Sequence, residues 1–192
     1  MRSFLKLSVF SIFCGLLLAS SAVLAQTDAD RGVEVEFPEI EGWEKGEITT
    51  YPTAQLGYSI VYQSAEGGTV TIYVYGGGVS KIADGIDDKN VKNEIKKAKN
   101  DIVLIGERGI YKNVKEIKDD TVTLGGRDGK VKALYSLFNF EIQGRQVDSE
   151  IYLFGYHNNF IKIRATRAKS KNNEPNEAIT TLLAEIDKLF SE

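Results

Sequence analysis

The sequence predicts an α+β fold, an α/β/α sandwich in which an antiparallel sheet of about six strands carries helices on both faces. Several runs alternate apolar and polar residues with a period of two, and turn residues separate these runs. Two other segments repeat apolar residues with a helical period. Residues 131–142 and 147–154 are apolar on both faces, which is typical of a sheet that is covered on both sides.

The first half of the chain predicts a short strand and a hairpin. Residues 33–37 alternate as a strand that Pro38 ends. Residues 56–63 and 69–75 predict two stronger strands, and a glycine-containing loop of hairpin length joins them. Trp43, in the preceding loop, is expected to fill part of the core.

A helix is predicted after the hairpin, where the glycine run 76–78 ends the strand. The spacing i, i+4, i+7 and i+11 of apolar residues predicts an amphipathic helix over residues 89–101, formed on Val91, Ile95, Ala98 and Ile102. Residues 103–106 are then expected to lead back towards the sheet.

The second half predicts an antiparallel meander over residues 110–167 and a closing helix. Turn residues separate four expected strands, at residues 121–124, 131–142, 147–154 and 160–167. The last segment has the clearest helical spacing, and Pro175 lies near its start, where a missing N–H is tolerated. Its apolar residues are Ile179, Leu182, Leu183, Ile186, Leu189 and Phe190.

The amino terminus predicts a secretory signal peptide over residues 1–25. Arg2 and Lys6 precede an apolar stretch at residues 7–18, and small residues lead to a cleavage site before Gln26. The alternative is a retained membrane anchor, but the apolar stretch is short for a span. The expected product is an exported periplasmic or extracellular protein without stable membrane insertion. It has a polar leader at residues 26–32 and a single domain at residues 33–192.

Composition limits the chemistry of the expected product. Cleavage removes Cys14, the only cysteine, so the domain has no disulfide and must rely on its core. The formal net charge moves from −3 to about −5, since the signal carries two basic and no acidic residues. Such a charge argues against a nucleic-acid partner, which requires a strong positive field.

Three strand segments, together with the order of the elements, carry a resemblance to a known family. They are residues 56–62 (LGYSIVY), 69–75 (TVTIYVY) and 160–165 (FIKIRA). The succession of short strand, hairpin, glycine break, helix, meander and closing helix resembles the PsbP-like superfamily, which includes the extrinsic photosystem subunit and periplasmic relatives such as DcrB. The resemblance implies an α/β/α sandwich that binds or assists other proteins, and it transfers no catalytic residue.

No pattern in the sequence predicts a catalytic, metal or cofactor site. His157 is the only histidine, and we expect it in a solvated turn. Asp84, Asp87 and Asp88 lack the spacing of a calcium loop and are better explained as acidic residues at a helix start. A hydrolase would need a carboxylate cluster, for which the candidates are Glu141, Asp148 and Glu150; their simpler interpretation is solvent-facing strand positions.

The candidate binding residues are two tyrosines and two cations, Tyr73, Tyr75, Lys162 and Arg164. Each pair shares one face of its strand. The tyrosines either pack within the sheet or form an exposed cluster of the kind enriched at protein interfaces. The cations either lie on a solvated face or begin a basic stripe for an acidic partner or lipid headgroups, which continues through Arg167, Lys169 and Lys171.

These observations favour a non-enzymatic binding or assembly module that works with a protein of the periplasm or cell envelope. The alternative is a secreted domain that binds a small ligand or a lipid in a cleft between sheet and helix. No cofactor is expected in either case.

Overall fold

The computed structural model describes residues 33–170 and 174–191, and it is an α+β fold with one antiparallel sheet of eight strands and two helices. Its elements, in chain order, are β1 (Glu44–Lys45), β2 (Thr49–Thr50), β3 (Tyr58–Ser64), β4 (Gly68–Tyr75), α1 (Lys89–Glu107), β5 (Lys112–Thr123), β6 (Lys132–Ile142), β7 (Arg145–Tyr156), β8 (Asn159–Ala168) and α2 (Glu177–Phe190). The strand order is β1-β3-β4-β8-β7-β6-β5, and β2 also pairs with β3. The predicted hairpin is β3–β4, and β5 to β8 form the predicted meander.

The sheet has eight strands, so the prediction of about six was too low. Two of the strands, β1 and β2, are two residues long, which is too short for a periodic pattern to indicate them. The predicted strand at residues 33–37 is not a strand. Its backbone instead bonds to one tyrosine hydroxyl, since Tyr58 donates to the Val33 carbonyl at 2.7 Å and accepts from the Val35 N–H at 3.2 Å.

The first helix is longer than predicted, because α1 continues through residues 103–106 instead of returning to the sheet there. Ile102 and Ile105 are both buried, so the apolar face continues past the predicted end. The helix starts as expected at Asp88, whose carboxylate accepts from the N–H groups of Asn90 and Val91. Gly109, at φ +75°, follows the last turn, as is common where helices end.

The fifth strand is also longer than predicted, because β5 begins at Lys112 rather than at residue 121. Most of its side chains are exposed, and its pairing with β6 shifts register twice, between Lys112 and Lys115 and between Glu116 and Lys118. These irregularities interrupt the alternation of apolar and polar residues on which the prediction depended.

Apolar side chains form two buried clusters that divide the residues of β7 between them. Tyr152 and Phe154 belong to the first cluster, together with the apolar residues of α2 and with Trp43, which fills the core as predicted. Ile151 and Leu153 belong to the second cluster, together with the apolar residues of α1. Both clusters therefore include side chains from the centre of the sheet.

The predicted signal peptide and polar leader, residues 1–25 and 26–32, lie outside the residues that the structure describes. No helix within residues 33–170 and 174–191 is long and apolar enough to cross a membrane.

Candidate functional site

The four predicted binding residues lie together on one face of two adjacent central strands. In the antiparallel pairing of β4 with β8, Tyr73 is directly opposite Lys162, and Thr71 is opposite Arg164. Tyr75 lies two residues beyond Tyr73 and therefore on the same face. With Tyr111, which contacts Arg164, these four residues form what we call the tyrosine–cation face.

Lys162 lies over two of the tyrosine rings. Its Nζ is 4.7 Å from the ring centroid of Tyr73 and 5.2 Å from that of Tyr75, within the range of a cation–π interaction. The side chain is half-buried. Burial lowers the pKa of Lys162, because the ammonium loses part of its hydration, and the nearby Arg164 charge lowers it further, against the opposing effect of Glu94.

Arg164 is positioned by two hydroxyl groups. Its Nε donates to Ser149 Oγ at 3.2 Å, and Nη2 donates to the Tyr111 hydroxyl at 3.3 Å. Tyr111 is itself held by stacking on Phe140, with ring centroids 4.1 Å apart and planes 15° from parallel. Two hydrogen bonds therefore hold the guanidinium in one orientation.

Tyr111 is the member of this face that the sequence did not predict. It precedes β5 and lies 53 positions before Arg164 in the chain, so no local spacing relates the two residues. Its half-buried position and its contact with a cation follow only from the packing of the α1–β5 connection against the sheet.

A hydrogen bond between Tyr75 and Glu94 connects this face to α1. Tyr75 is buried, and its hydroxyl donates to Glu94 Oε1 at 2.9 Å. The other carboxylate oxygen of Glu94 accepts from Lys97 at 3.2 Å. Burial and the Glu94 charge raise the pKa of Tyr75 well above its usual value.

The two cations of this face have no carboxylate close enough for an ion pair, unlike several other basic residues. Lys99, for example, lies 2.6 Å from Glu116 and 2.8 Å from Asp119. Within residues 33–170 and 174–191, no carboxylate oxygen lies within 4.0 Å of the charged nitrogens of Lys162 or Arg164.

The predicted basic stripe does not continue beyond Arg164 along this face. Arg167 lies on the opposite face of β8 and is buried, with Nη1 at 2.8 Å from Asp148 and Nη2 at 3.4 Å from Glu150. Lys169 follows the end of β8 and is exposed, and Lys171 lies outside the described residues. Arg164 and Arg167 are three positions apart, and an odd separation places two residues on opposite faces of a strand.

Two of the three carboxylates considered for a hydrolase are buried, so their interpretation as solvent-facing was wrong. Besides Arg167, Asp148 accepts from the Asn139 amide at 2.6 Å, and Glu150 accepts from the Tyr152 hydroxyl. Glu141 is half-buried and accepts from Gln146 instead. Because Asp148 and Glu150 are neutralised and hydrogen-bonded within the fold, the arrangement stabilises the sheet rather than presenting a free acid or base.

The remaining candidate residues for chemistry lie in loops. The His157 side chain is exposed in the β7–β8 turn, and its backbone N–H donates to Asp84. Asp87 is exposed, and Asp88 is used as the helix cap. The described part of the chain contains no group of three or more side chains of the types that hold a metal ion.

Two surface hollows bear on the alternative of a ligand-binding cleft. The larger, about 570 Å³, lies against residues 33–39, and an ion pair between Lys45 and Glu39 spans part of it at 2.7 Å. The smaller, about 440 Å³, lies between α1 and β5 and is lined by charged side chains such as Lys96 and Asp120. The larger hollow has several apolar residues in its lining, but both hollows are open to solvent, unlike the enclosed site that small ligands generally occupy.

A scan against protein-family models finds no family that matches this chain. A search of curated proteins likewise finds no match.

Proposed function

We propose that this chain is an exported, non-enzymatic binding or assembly module of the periplasm or cell envelope, and that it binds a protein partner through the tyrosine–cation face. The observation that carries the proposal is the convergence of three tyrosines on two half-buried cations without a carboxylate counter-ion. Tyrosine and arginine are the residue types enriched at the centres of protein interfaces.

The partner that fits this face presents negative charge. Lys162 and Arg164 place two positive charges side by side on one face of a chain whose expected net charge after cleavage is about −5. Complementary potentials of this kind increase the association rate and select among partners. An acidic protein segment therefore complements the face better than a neutral one.

A sandwich with the helices on opposite faces of the sheet forms part of the proposal. It is supported by the two apolar clusters, because adjacent residues of a strand point to opposite faces and these clusters divide the residues of β7. The apolar side of α1 belongs to one cluster and that of α2 to the other. Together with the order of the elements, this arrangement supports membership of the PsbP-like superfamily, with its DcrB-like relatives.

Export through the signal peptide at residues 1–25 is also part of the proposal. It rests on the basic, apolar and small-residue segments in that order. Amino-terminal sequencing of the protein from a cell-envelope fraction is expected to begin at Gln26. Recovery of the uncleaved chain from the cytoplasm would contradict this part of the proposal.

Partner capture tests the binding face itself. The mature chain is crosslinked within an envelope fraction, and the captured proteins are compared with those captured by Arg164→Glu and by Lys169→Glu. Lys169 is a matched control, because it is exposed and lies outside the tyrosine–cation face.

The expected result is one acidic partner that Arg164→Glu loses and Lys169→Glu retains, with both variants folded by circular dichroism. Equal capture by the wild type and Arg164→Glu would overturn the assignment of the binding face.

A further inference from the structure

We propose that Lys162 and Arg164 together form a binding seat for a single carboxylate group, which the acidic partner inserts between them. This inference rests on the proposed function, because it names the chemical group through which that partner is recognised. The argument comes from hydrogen-bond donors, from the spacing of the two charges and from the aromatic side chains around them.

The two cations have donors that the fold does not use. Arg164 has five N–H donors, of which Nε and one on Nη2 bond to Ser149 and Tyr111. The ammonium of Lys162 has three, and none of them finds an acceptor among the described residues. Its Nζ is not among the fully buried unpartnered atoms, so the ammonium keeps some exposure to solvent.

The spacing of the two charges favours an anion between them. Lys162 and Arg164 are two residues apart on one face of β8, so their side chains are neighbours and their charges repel. This repulsion is one of the causes that lower the pKa of Lys162. A carboxylate bound between them would attract both charges and so offset the repulsion between Lys162 and Arg164.

The acidic side chains nearest to Lys162 do not fill this position. Glu94 and Asp101, both on α1, raise the pKa of Lys162 from a distance. Both oxygens of Glu94 are already engaged, by Tyr75 and Lys97. Asp101 is exposed and makes no ion pair with either cation.

The surrounding aromatic rings strengthen the binding of an anion. Tyr73 and Tyr75 lie beneath the ammonium, and Tyr111 lies beside the guanidinium, with the Arg164 Cζ 5.9 Å from the ring centroid. Rings in these positions exclude water, and hydrogen bonds become electrostatically stronger in a less polar environment. The planar guanidinium is also suited to the two oxygens of a carboxylate.

A protein carboxylate fits the whole molecule better than an anionic membrane does. The expected mature chain is acidic overall, at about −5, and this net charge opposes its approach to an anionic bilayer. A single carboxylate needs only the local pair of charges.

Nuclear magnetic resonance of the mature chain tests the seat directly. Acetate is titrated into protein labelled with ¹⁵N in lysine and arginine side chains, and the pKa of Lys162 is followed in parallel. We expect saturable chemical-shift changes at Lys162 and Arg164 and a rise in the pKa of Lys162 towards its usual value.

Lys162→Gln and Arg164→Gln are each expected to weaken acetate binding about tenfold, since each removes charged hydrogen bonds to the anion. Lys169→Gln, a cation outside the face, is expected to leave it unchanged.

Two further titrations distinguish the source of the anion. Inorganic phosphate and vesicles of phosphatidylglycerol replace acetate in the same measurement. If phosphate and the vesicles both bind more weakly than acetate, the carboxylate seat is supported. Vesicle binding that depends on Arg164 would overturn it in favour of a lipid headgroup. Absence of saturable shifts with acetate would also overturn it.

The seat and the proposed function fail in different ways. If partner capture depends on Arg164 but acetate does not bind, the binding face stands and the carboxylate seat is wrong. If acetate binds but no partner is captured, the seat stands and the assembly function is wrong.

Discussion

Arg167 is the side chain on which the buried polar network of the sheet depends. It contacts Asp148 and Glu150 and also donates to the Glu174 carbonyl at 2.7 Å, so it connects β7 to the segment before α2. Asp148 is fully buried, and Glu150 is 5% exposed. Removing the cation would therefore leave two carboxylates in a poorly hydrated position.

Substitution of Arg167 by methionine is expected to lower the free energy of unfolding by about 3–5 kcal/mol, the range for breaking one side of a buried ion pair. The control is Lys188→Met, because Lys188 pairs with Glu185 on the exposed side of α2. An exposed pair contributes about 0–1 kcal/mol, so the control is expected to remain near the wild type. Urea denaturation measures the free energy of unfolding of both variants. If Arg167→Met lost as little stability as Lys188→Met, the importance of the buried network would be contradicted.

The positions of individual residues in the tyrosine–cation face could be predicted only in part from the sequence. Strand parity alone places Tyr73 and Tyr75 on one face and Lys162 and Arg164 on one face. The contact between the two pairs depends on the register of β4 against β8, and the helix α1 and the strands β5 to β7 separate these two strands in the chain. Parity within β8 does not reveal that Arg167 lies opposite buried carboxylates, because they belong to a different strand.

At the scale of elements, the end of α1 depends on a close approach between the helix and the start of β5. A Cβ on Gly106 would lie 2.7 Å from Val114 Cγ2, closer than two carbon atoms can pack. The sequence could predict the apolar face of this helix but not its extension, because residues 103–106 (VLIG) are compatible with a strand as well as with a helix. Ile105 is buried in the folded chain, which favours the helix.

Replacement of Gly106 by alanine is expected to destabilise the protein, although alanine normally favours a helix. The helical preference of alanine gains about 1 kcal/mol, whereas overpacking against a β-branched neighbour costs about 1–3 kcal/mol. The double variant Gly106→Ala, Val114→Ala removes the steric conflict and is expected to lose less than the two single losses combined. Thermal unfolding measures this coupling, and strict additivity would contradict the close approach.

In addition to its apolar packing, the second helix is held by one buried carboxylate. Asp187 is buried on α2, and its Oδ1 accepts from the N–H groups of Lys130 at 2.9 Å and Val131 at 2.7 Å. These two residues lie immediately before β6, so the contact fixes α2 to the turn between β5 and β6.

Asp187→Ala is expected to lower the free energy of unfolding by about 1–3 kcal/mol, because two buried N–H groups lose their acceptor. Asp187→Asn keeps one carbonyl acceptor and is expected to lose less. Glu185→Ala on the same helix is the control, as its side chain forms only an exposed ion pair with Lys188. Chemical denaturation measures the stability of each variant. If Asp187→Asn were less stable than Asp187→Ala, this account of the contact would be contradicted.

At the scale of the whole molecule, buried tyrosines couple stability to alkaline pH. Burial raises the pKa of six tyrosines, to about 12 in the case of Tyr62. The six are Tyr58, Tyr62, Tyr73, Tyr75, Tyr135 and Tyr152. In the unfolded chain these hydroxyls ionise near pH 10, so the folded state holds their protons more tightly.

Stability is therefore expected to be maintained below about pH 10 and to fall as the pH rises towards 12. Lys162 acts in the opposite direction, because a lowered pKa makes the folded state gain stability as the pH rises through that value towards 10.5. Because six tyrosines lower the stability above about pH 10 and one lysine raises it, the net result is a loss of stability. Urea denaturation across this range, with tyrosinate absorbance of the native protein, tests the expectation. Ionisation of all the tyrosines near pH 10 without loss of stability would contradict it.

The outer side of β5 has a consequence for the protein at high concentration. Within the described residues this strand is at the end of the sheet, twelve residues long and paired only with β6. Its two register shifts and its exposed residues Lys112, Lys115, Lys118, Asp119 and Asp120 are features that oppose the addition of a further strand. The same strand therefore ends the sheet and disfavours edge-to-edge aggregation of the protein.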